Sequence, residues 1–187
     1  MLYGQIISTV NQKVLTFLTK FSDKEFYERQ IARSLGIAFG SANRSLNNLY
    51  AAGAVRRRQE GKMFFYSVNV SDPVIIQLKK LINLLLLEPL LGELKSVSTR
   101  IILYGSCAQG ADGSRSDLDL FVVSTDREQA IKMVDNFSFP RGFEGIRIQS
   151  VIKTPSELLM AGEAERVFLN EVDQGIILWE KAANDDI

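Results

Sequence analysis

The chain has 187 residues, 46% hydrophobic and 24% charged, with 22 basic and 22 acidic side chains and no histidine. Such a length suits one large domain or two small ones, and such a composition excludes a disordered chain. The lone Cys107 excludes an internal disulfide framework, and the missing histidine excludes His-based zinc sites and Ser-His-Asp triads.

The zero net charge conceals an asymmetry. Residues 1–72 carry 10 Lys/Arg and 5 Asp/Glu, whereas residues 73–187 carry 12 and 17. A basic front half suits a polyanion, and an acidic back half suits a divalent metal. A single cysteine agrees with a reducing, cytoplasmic setting, and Met1–Val10 lacks the basic start and apolar run of a secretory leader.

In chain order, Asn11–Phe21 places Val14, Leu15, Phe17 and Leu18 on one helical face. Ser22 and Asp23 are candidate caps for the next element. A second helix is predicted over Glu28–Leu35, ended by Gly36 as a left-handed residue. Ile37, Ala38 and Phe39 form a turn, and Gly40-Ser41 opens a third helix with Ser41 as its cap. That helix turns Asn43, Arg44, Asn47 and Asn48 outward and Ala42, Leu46, Leu49 and Tyr50 inward. Two extended runs come next, Ala54–Gln59 and Lys62–Asn69, with Glu60-Gly61 as a tight turn between them.

This order, with Ala52-Gly53-Ala54-Val55-Arg56-Arg57-Arg58 leading to Gly61 and Phe65-Tyr66, resembles the winged helix-turn-helix of ArsR-like and MarR-like regulators over residues 10–70. The resemblance implies that Ser41–Tyr50 enters a DNA major groove and that Arg56–Lys62 lies against phosphate. Ser41, Asn43, Arg44, Asn47, Asn48, Arg56, Arg57, Arg58 and Lys62 are then the DNA-binding candidates. The competing reading is a protein-contact module whose arginines are a solvated face.

Val74–Leu94 is leucine-rich, but Lys79, Lys80, Glu88 and Glu93 disqualify it as a membrane span. It is read as a linker helix broken at Pro89, apolar on too many sides for one stripe, and either buried or pairing two copies in a homodimer.

Ile101-Ile102-Leu103-Tyr104 reads as a strand buried on both faces. Gly105-Ser106-Cys107-Ala108-Gln109-Gly110 comes after it, and then Ser116-Asp117-Leu118-Asp119-Leu120 opens a second strand. Alternation along that strand puts Asp117 and Asp119 on one face, where two carboxylates repel unless a hard cation joins them. Gly105 permits close backbone approach to a phosphate, and Ser106 offers a hydroxyl beside free N–H donors. Cys107 is read as a packing residue and Trp179 as core, while Asp185-Asp186 is read as a solvated tail.

These motifs resemble the minimal, kanamycin nucleotidyltransferase-like branch of the DNA polymerase beta superfamily, over residues 96–181. Thr154-Pro155-Ser156-Glu157 opening a helix and Gly175–Trp179 as a last strand fit the same pattern. The resemblance implies that Gly105 and Ser106 grip nucleotide phosphates and that Asp117 and Asp119 hold Mg²⁺. It implies transfer of a nucleoside monophosphate from an NTP to a hydroxyl, with release of pyrophosphate. One departure stands out. The strand Gly145–Ile152, where the family has a third carboxylate, offers Arg147 and Gln149 on the matching face. Gln149 takes the acid's place, and Glu144 just before the strand is a substitute that spacing does not demand.

The expected organisation is α+β: a winged helix-turn-helix at 1–72, a linker or dimerisation helix at 73–95, and a mixed-sheet α/β nucleotidyltransferase fold at 96–187. The expected function is Mg²⁺-dependent nucleotidyl transfer with DNA held by the winged helix. The alternative is a DNA-binding regulator whose degenerate nucleotidyltransferase domain binds only nucleotide or a partner, including an antitoxin-like pairing with a toxin-like protein. No membrane partner is expected.

Overall fold

Thr9 starts the first long helix by a reciprocal cap. Gln12 N–H donates to the Thr9 hydroxyl at 3.3 Å, and Thr9 N–H donates to the Gln12 side chain at 2.9 Å. A computed structural model describes residues 2–160 and 162–181; the Asp185-Asp186 tail lies outside the described residues. The chain forms two compact units. Unit 1 comprises Met1–Leu86, Asp112–Arg115 and Phe139–Ile146, and unit 2 comprises Leu87–Ala111, Ser116–Ser138 and Arg147–Ile187.

Unit 1 runs α1 (Leu2–Ile6), α2 (Val10–Lys20), β1 (Phe26–Tyr27), α3 (Glu28–Leu35), α4 (Phe39–Ala51), β2 (Arg56–Glu60), β3 (Met63–Ser67) and the first part of α5 (Pro73–Leu94). The strands form an antiparallel sheet in the order β1-β3-β2. Val14, Leu18, Ile31, Leu46 and Tyr66 are fully buried at its centre. Phe17 meets Phe21 and Phe26 edge-on at 5.0 and 4.9 Å. Phe143, from the 139–146 segment, is buried in this aromatic group and stacks on Phe21 at 6.0 Å.

Gly36 ends α3 with φ +64°, as the sequence predicts. Other boundaries differ. Ala38, not Ser41, precedes α4, and Ser41 lies exposed in its first turn. Phe39 is therefore helical rather than part of a turn. Asp23 does not cap α3; its carboxylate accepts from Ser114 N–H and hydroxyl, both at 2.8 Å, and these hydrogen bonds hold it below its ordinary pKa against the opposing effect of burial. Tyr27 precedes α3 instead, its N–H donating to the Gln30 side chain. Tyr50, expected to face inward, is exposed, and the Arg57 guanidinium lies over its ring at 4.2 Å.

A buried polar network belongs to the same unit. The Lys20 ammonium, 2% exposed, meets the fully buried Asp112 carboxylate at 2.7 Å. Lys20 also donates to Asn83 Oδ1 at 2.7 Å, Asn83 Nδ2 donates to Asp112 Oδ1 at 3.2 Å, and Lys79 Nζ donates to the Asp112 carbonyl at 2.6 Å.

Unit 2 continues with the rest of α5, then β4 (Ser98–Tyr104), α6 (Gly105–Gln109), β5 (Leu118–Ser124), α7 (Arg127–Asp135), β6 (Ile148–Lys153), α8 (Pro155–Leu159), α9 (Glu163–Val172) and β7 (Ile176–Glu180). Its sheet has the order β6-β5-β4-β7, with β5 and β6 parallel and the other pairs antiparallel. Ile102, Tyr104, Phe121, Val123 and Val172 form one face's core, with Phe168 packed against it. Thr154 and Glu157 cap α8 reciprocally, as their spacing foretells.

Pro89, expected to break the linker, does not: α5 runs through it to Leu94. Leu86, Leu87, Leu90 and Leu94 are all buried around it, and that burial outweighs the roughly 3 kcal/mol penalty of an internal proline. Trp179, expected in the core, is only half-buried; Lys95 lies over its ring at 4.9 Å and its N–H donates to the Ser98 carbonyl. Among the described residues, no helix is long and apolar enough to cross a membrane.

Candidate functional site

The site is built where β4 and β5 hand the chain from strand to loop. β4 ends at Tyr104, which lies opposite Asp119 of β5. Gly105 then takes φ +68°, and a Cβ there would sit 2.6 Å from Asp119 Oδ2. Only glycine meets both demands. Ser106 comes next in the first turn of α6, half-buried, its carbonyl accepting from the Gly110 and Ala111 N–H groups. Cys107 is buried, its thiol 3.2 Å from the Asp117 carbonyl, as befits a packing residue.

Asp117 sits just before β5 and Asp119 two residues on, so both carboxylates fall on one side of the strand. Burial pushes the Asp119 carboxyl above its ordinary pKa, and Asp117 and Glu171 add to the shift. Burial raises the Tyr104 hydroxyl as well, helped by Asp119 and Glu171.

The neighbouring strand answers this acidic pair with no acid. Leu118 N–H donates to the Arg147 carbonyl at 2.9 Å, and this bond opens the parallel ladder that pairs Asp119 with Gln149. The same ladder sets Arg147 beside Asp117. Arg147 Nε reaches Asp117 Oδ1 at 2.9 Å and Nη2 reaches Oδ2 at 3.4 Å. The guanidinium is 76% exposed and the carboxylate 27%. Glu144, the sequence's substitute acid, accepts from Gly142 N–H within unit 1.

Sequence reasoning overlooked Glu171. It lies near the end of α9, acts electrostatically on Asp119, and lines a small cavity of about 30 Å³ with Gly105, Gln109, Gln174 and Gly175. Nothing local in the sequence separates it from other helical glutamates. Among the described residues, no three or more His, Cys, Asp or Glu side chains converge closely enough to hold a metal by themselves.

In unit 1, Asn43 donates to Glu28 at 2.8 Å, Asn47 donates to Asn43 at 3.1 Å, and Arg57 donates to Asn47 at 3.4 Å. The Arg57 guanidinium is held between the Tyr50 and Phe64 rings, 4.2 and 4.5 Å from their centroids. Arg58 is paired with Glu25 and Glu60, which hold its guanidinium still further above its usual pKa. Ser41, Arg44, Asn48, Arg56 and Lys62 are exposed. Of the nine DNA-binding candidates, the structure thus draws Asn43, Asn47, Arg57 and Arg58 into contacts with unit 1 itself. It also leaves Arg29 and Arg33 exposed on α3, two cations the sequence reading passed over.

Residues 87–174 match the family model described as nucleotidyltransferase domain. The matched stretch contains Gly105, Ser106, Asp117, Asp119, Arg147, Gln149 and Glu171. No curated protein and no solved structure matches the chain. This match supports the nucleotidyltransferase part of the sequence reading, and the mixed α/β architecture of unit 2 is consistent with it.

Proposed function

We propose that this protein transfers a nucleoside monophosphate from an NTP to a hydroxyl acceptor at Gly105, Ser106, Asp117 and Asp119. The observation that carries the reading is the fit of Asp119 against Gly105, which brings a half-buried carboxylate to the turn that carries Ser106. The donor set suits Mg²⁺, which is commonly held by one or two carboxylates with substrate phosphates filling its remaining positions. Burial raises the Asp119 pKa, and the neighbouring Asp117 and Glu171 carboxylates add to the shift; a cation offsets their repulsion. Asp119 and Asp117 would hold the ion. When bound, it would neutralise phosphate charge and stabilise the oxygens that gain charge in the transfer. The chain's own contribution is positional: Gly105 admits the phosphates, the Ser106 hydroxyl donates to them, and the β4–β5 pairing fixes Asp119 facing both.

A second reading has its own observation. Gln149 stands beside Asp119 where an acid would be expected, and an amide is no general base. On this reading unit 2 binds nucleotide or a protein partner, antitoxin-like, without turnover. Both readings keep a DNA-binding winged helix over residues 1–72, a linker over 73–95 and the nucleotidyltransferase domain over 96–187. Exposed Arg44 and Asn48 on α4, with Arg56 and Lys62 on the hairpin, support DNA contact. Two copies pairing through α5 complete the proposal.

Thermal midpoints with MgATP, MgGTP, MgCTP and MgUTP test the site. A ligand at a hundredfold its dissociation constant adds about 2.7 kcal/mol. The expected result is a Mg²⁺-dependent rise that an Asp117→Asn/Asp119→Asn double variant loses, followed by labelled-nucleotide transfer. A rise without transfer favours the second reading, and no rise with any nucleotide rejects nucleotide binding at the site and leaves only the partner-binding form of the second reading.

A further inference from the structure

The pairing of β5 with β6 sets a charge pattern that the motif alone does not contain. Asp117 lies beside Arg147 and Asp119 beside Gln149, so on the face of the two carboxylates the neighbouring strand offers one cation and one amide. A site for two divalent ions about 3.5–4 Å apart needs enough carboxylate oxygen to neutralise both. Here one of the two carboxylates is already matched by a guanidinium at 2.9 Å. The fold gains little from that match, because solvent screens an ion pair this exposed. A guanidinium that is 76% exposed can change partners at small cost, and its planar fork fits a phosphate as well as a carboxylate.

We propose that Arg147 is a tethered cation standing in for a second divalent ion, so that the site takes one metal with each nucleotide. The inference rests on the nucleotidyltransferase reading and adds how the site balances its charge. Asp119, which has Gln149 and not a cation as its cross-strand neighbour, is open to the metal from the start, and Asp117 joins it once Arg147 turns to the phosphate. Arg147 neutralises Asp117 in the free protein and presents its N–H donors to a nucleotide phosphate when one arrives.

Equilibrium dialysis with Mn²⁺ in place of Mg²⁺, against the non-hydrolysable α,β-methylene analogues of ATP, GTP, CTP and UTP, counts ions and nucleotide per chain. The wild-type chain is expected to bind one Mn²⁺ per nucleotide. Arg147→Gln removes the tethered cation and is expected to raise that ratio to two, while Arg147→Lys keeps it at one. Circular dichroism should show all three proteins equally folded, since the side chain is exposed. Two ions per nucleotide in the wild type would overturn the proposal and leave the nucleotidyltransferase reading standing. So would an Arg147→Gln ratio that stays at one. Failure of the wild type to bind any of the four nucleotides would reject that reading and the proposal with it.

Discussion

Two aspartates five residues apart in one loop, Asp112 and Asp117, each face a basic side chain, and they could hardly differ more. Asp112 belongs to unit 1 and is sealed from solvent with Lys20 at 2.7 Å, Asn83 completing the contact. Asp117 belongs to unit 2 and meets Arg147 at 2.9 Å in the open. Burial decides what each pair is for. A sealed pair cannot exchange its partner without stranding a charge, so it is a structural device. An open pair contributes little to stability and can be rearranged by a ligand.

The comparison breaks most visibly at the sealed pair. Asp112→Ala leaves the Lys20 ammonium buried and unpaired, at an expected cost of about 3–5 kcal/mol. Urea denaturation followed by circular dichroism measures it. A Lys20→Met/Asp112→Leu double variant should recover part of the loss, because apolar groups of similar volume remove both charges together while the buried Asn83 gives up its hydrogen bonds to them. A loss below about 1 kcal/mol for Asp112→Ala would mean that water reaches the pair.

That pair also marks where the sequence stopped being readable. Lys20 and Asp112 stand 92 residues apart, and no local pattern joins them. The Gly-Ser turn and the Asp-x-Asp strand were legible because both obey short-range rules: a buried apolar run, a glycine forced to positive φ, and side chains alternating along β5. Arg147 and Gln149 were legible as non-acids, but their pairing with Asp117 and Asp119 is a matter of register between strands. The run through Pro89 depended on the burial of the leucines around it, and the contact that meets Tyr50 comes from Arg57 on β2. In the hairpin the arginines were visible, yet composition could not say that Arg57 and Arg58 were already engaged.

Gly105 offers the next largest effect and carries the contrast into the site. Gly105→Ala forces a Cβ into a left-handed residue and to within 2.6 Å of Asp119 Oδ2. The conformational part alone costs about 1–2 kcal/mol, and relieving the contact turns Asp119 away. The expected result is a lower thermal midpoint together with loss of the nucleotide-dependent rise. A variant that keeps the full rise would separate Asp119 from nucleotide binding.

Arg57→Ala should cost about 1 kcal/mol, since it removes cation–ring contacts at a partly exposed position. Arg56→Ala/Lys62→Ala should leave stability unchanged and weaken binding to duplex DNA in a gel-shift titration, most at low salt. Weakened DNA binding from Arg57→Ala alone, with the Arg56/Lys62 variant unaffected, would move the interface from Arg56 and Lys62 to the face that carries Arg57.

The smallest effects belong to the open site. The folded protein holds the Asp119 proton more tightly than the unfolded chain does, so ionising Asp119 costs stability. Below the unfolded pKa of about 3.9 both states are protonated and the cost vanishes. It grows as pH rises from there through the raised folded value. Asp119→Asn should therefore raise the thermal midpoint at pH 7 and leave it unchanged at pH 3. Mg²⁺ should narrow that gap by stabilising only the wild type. Arg147→Gln should shift stability by less than about 1 kcal/mol at either pH. With Mg²⁺ absent its small loss should shrink in high salt, because the attraction removed is between exposed charges and is screened. A loss approaching that of Asp112→Ala would show that Arg147 is held as firmly as Lys20, and the difference between the sealed and the open aspartate would disappear.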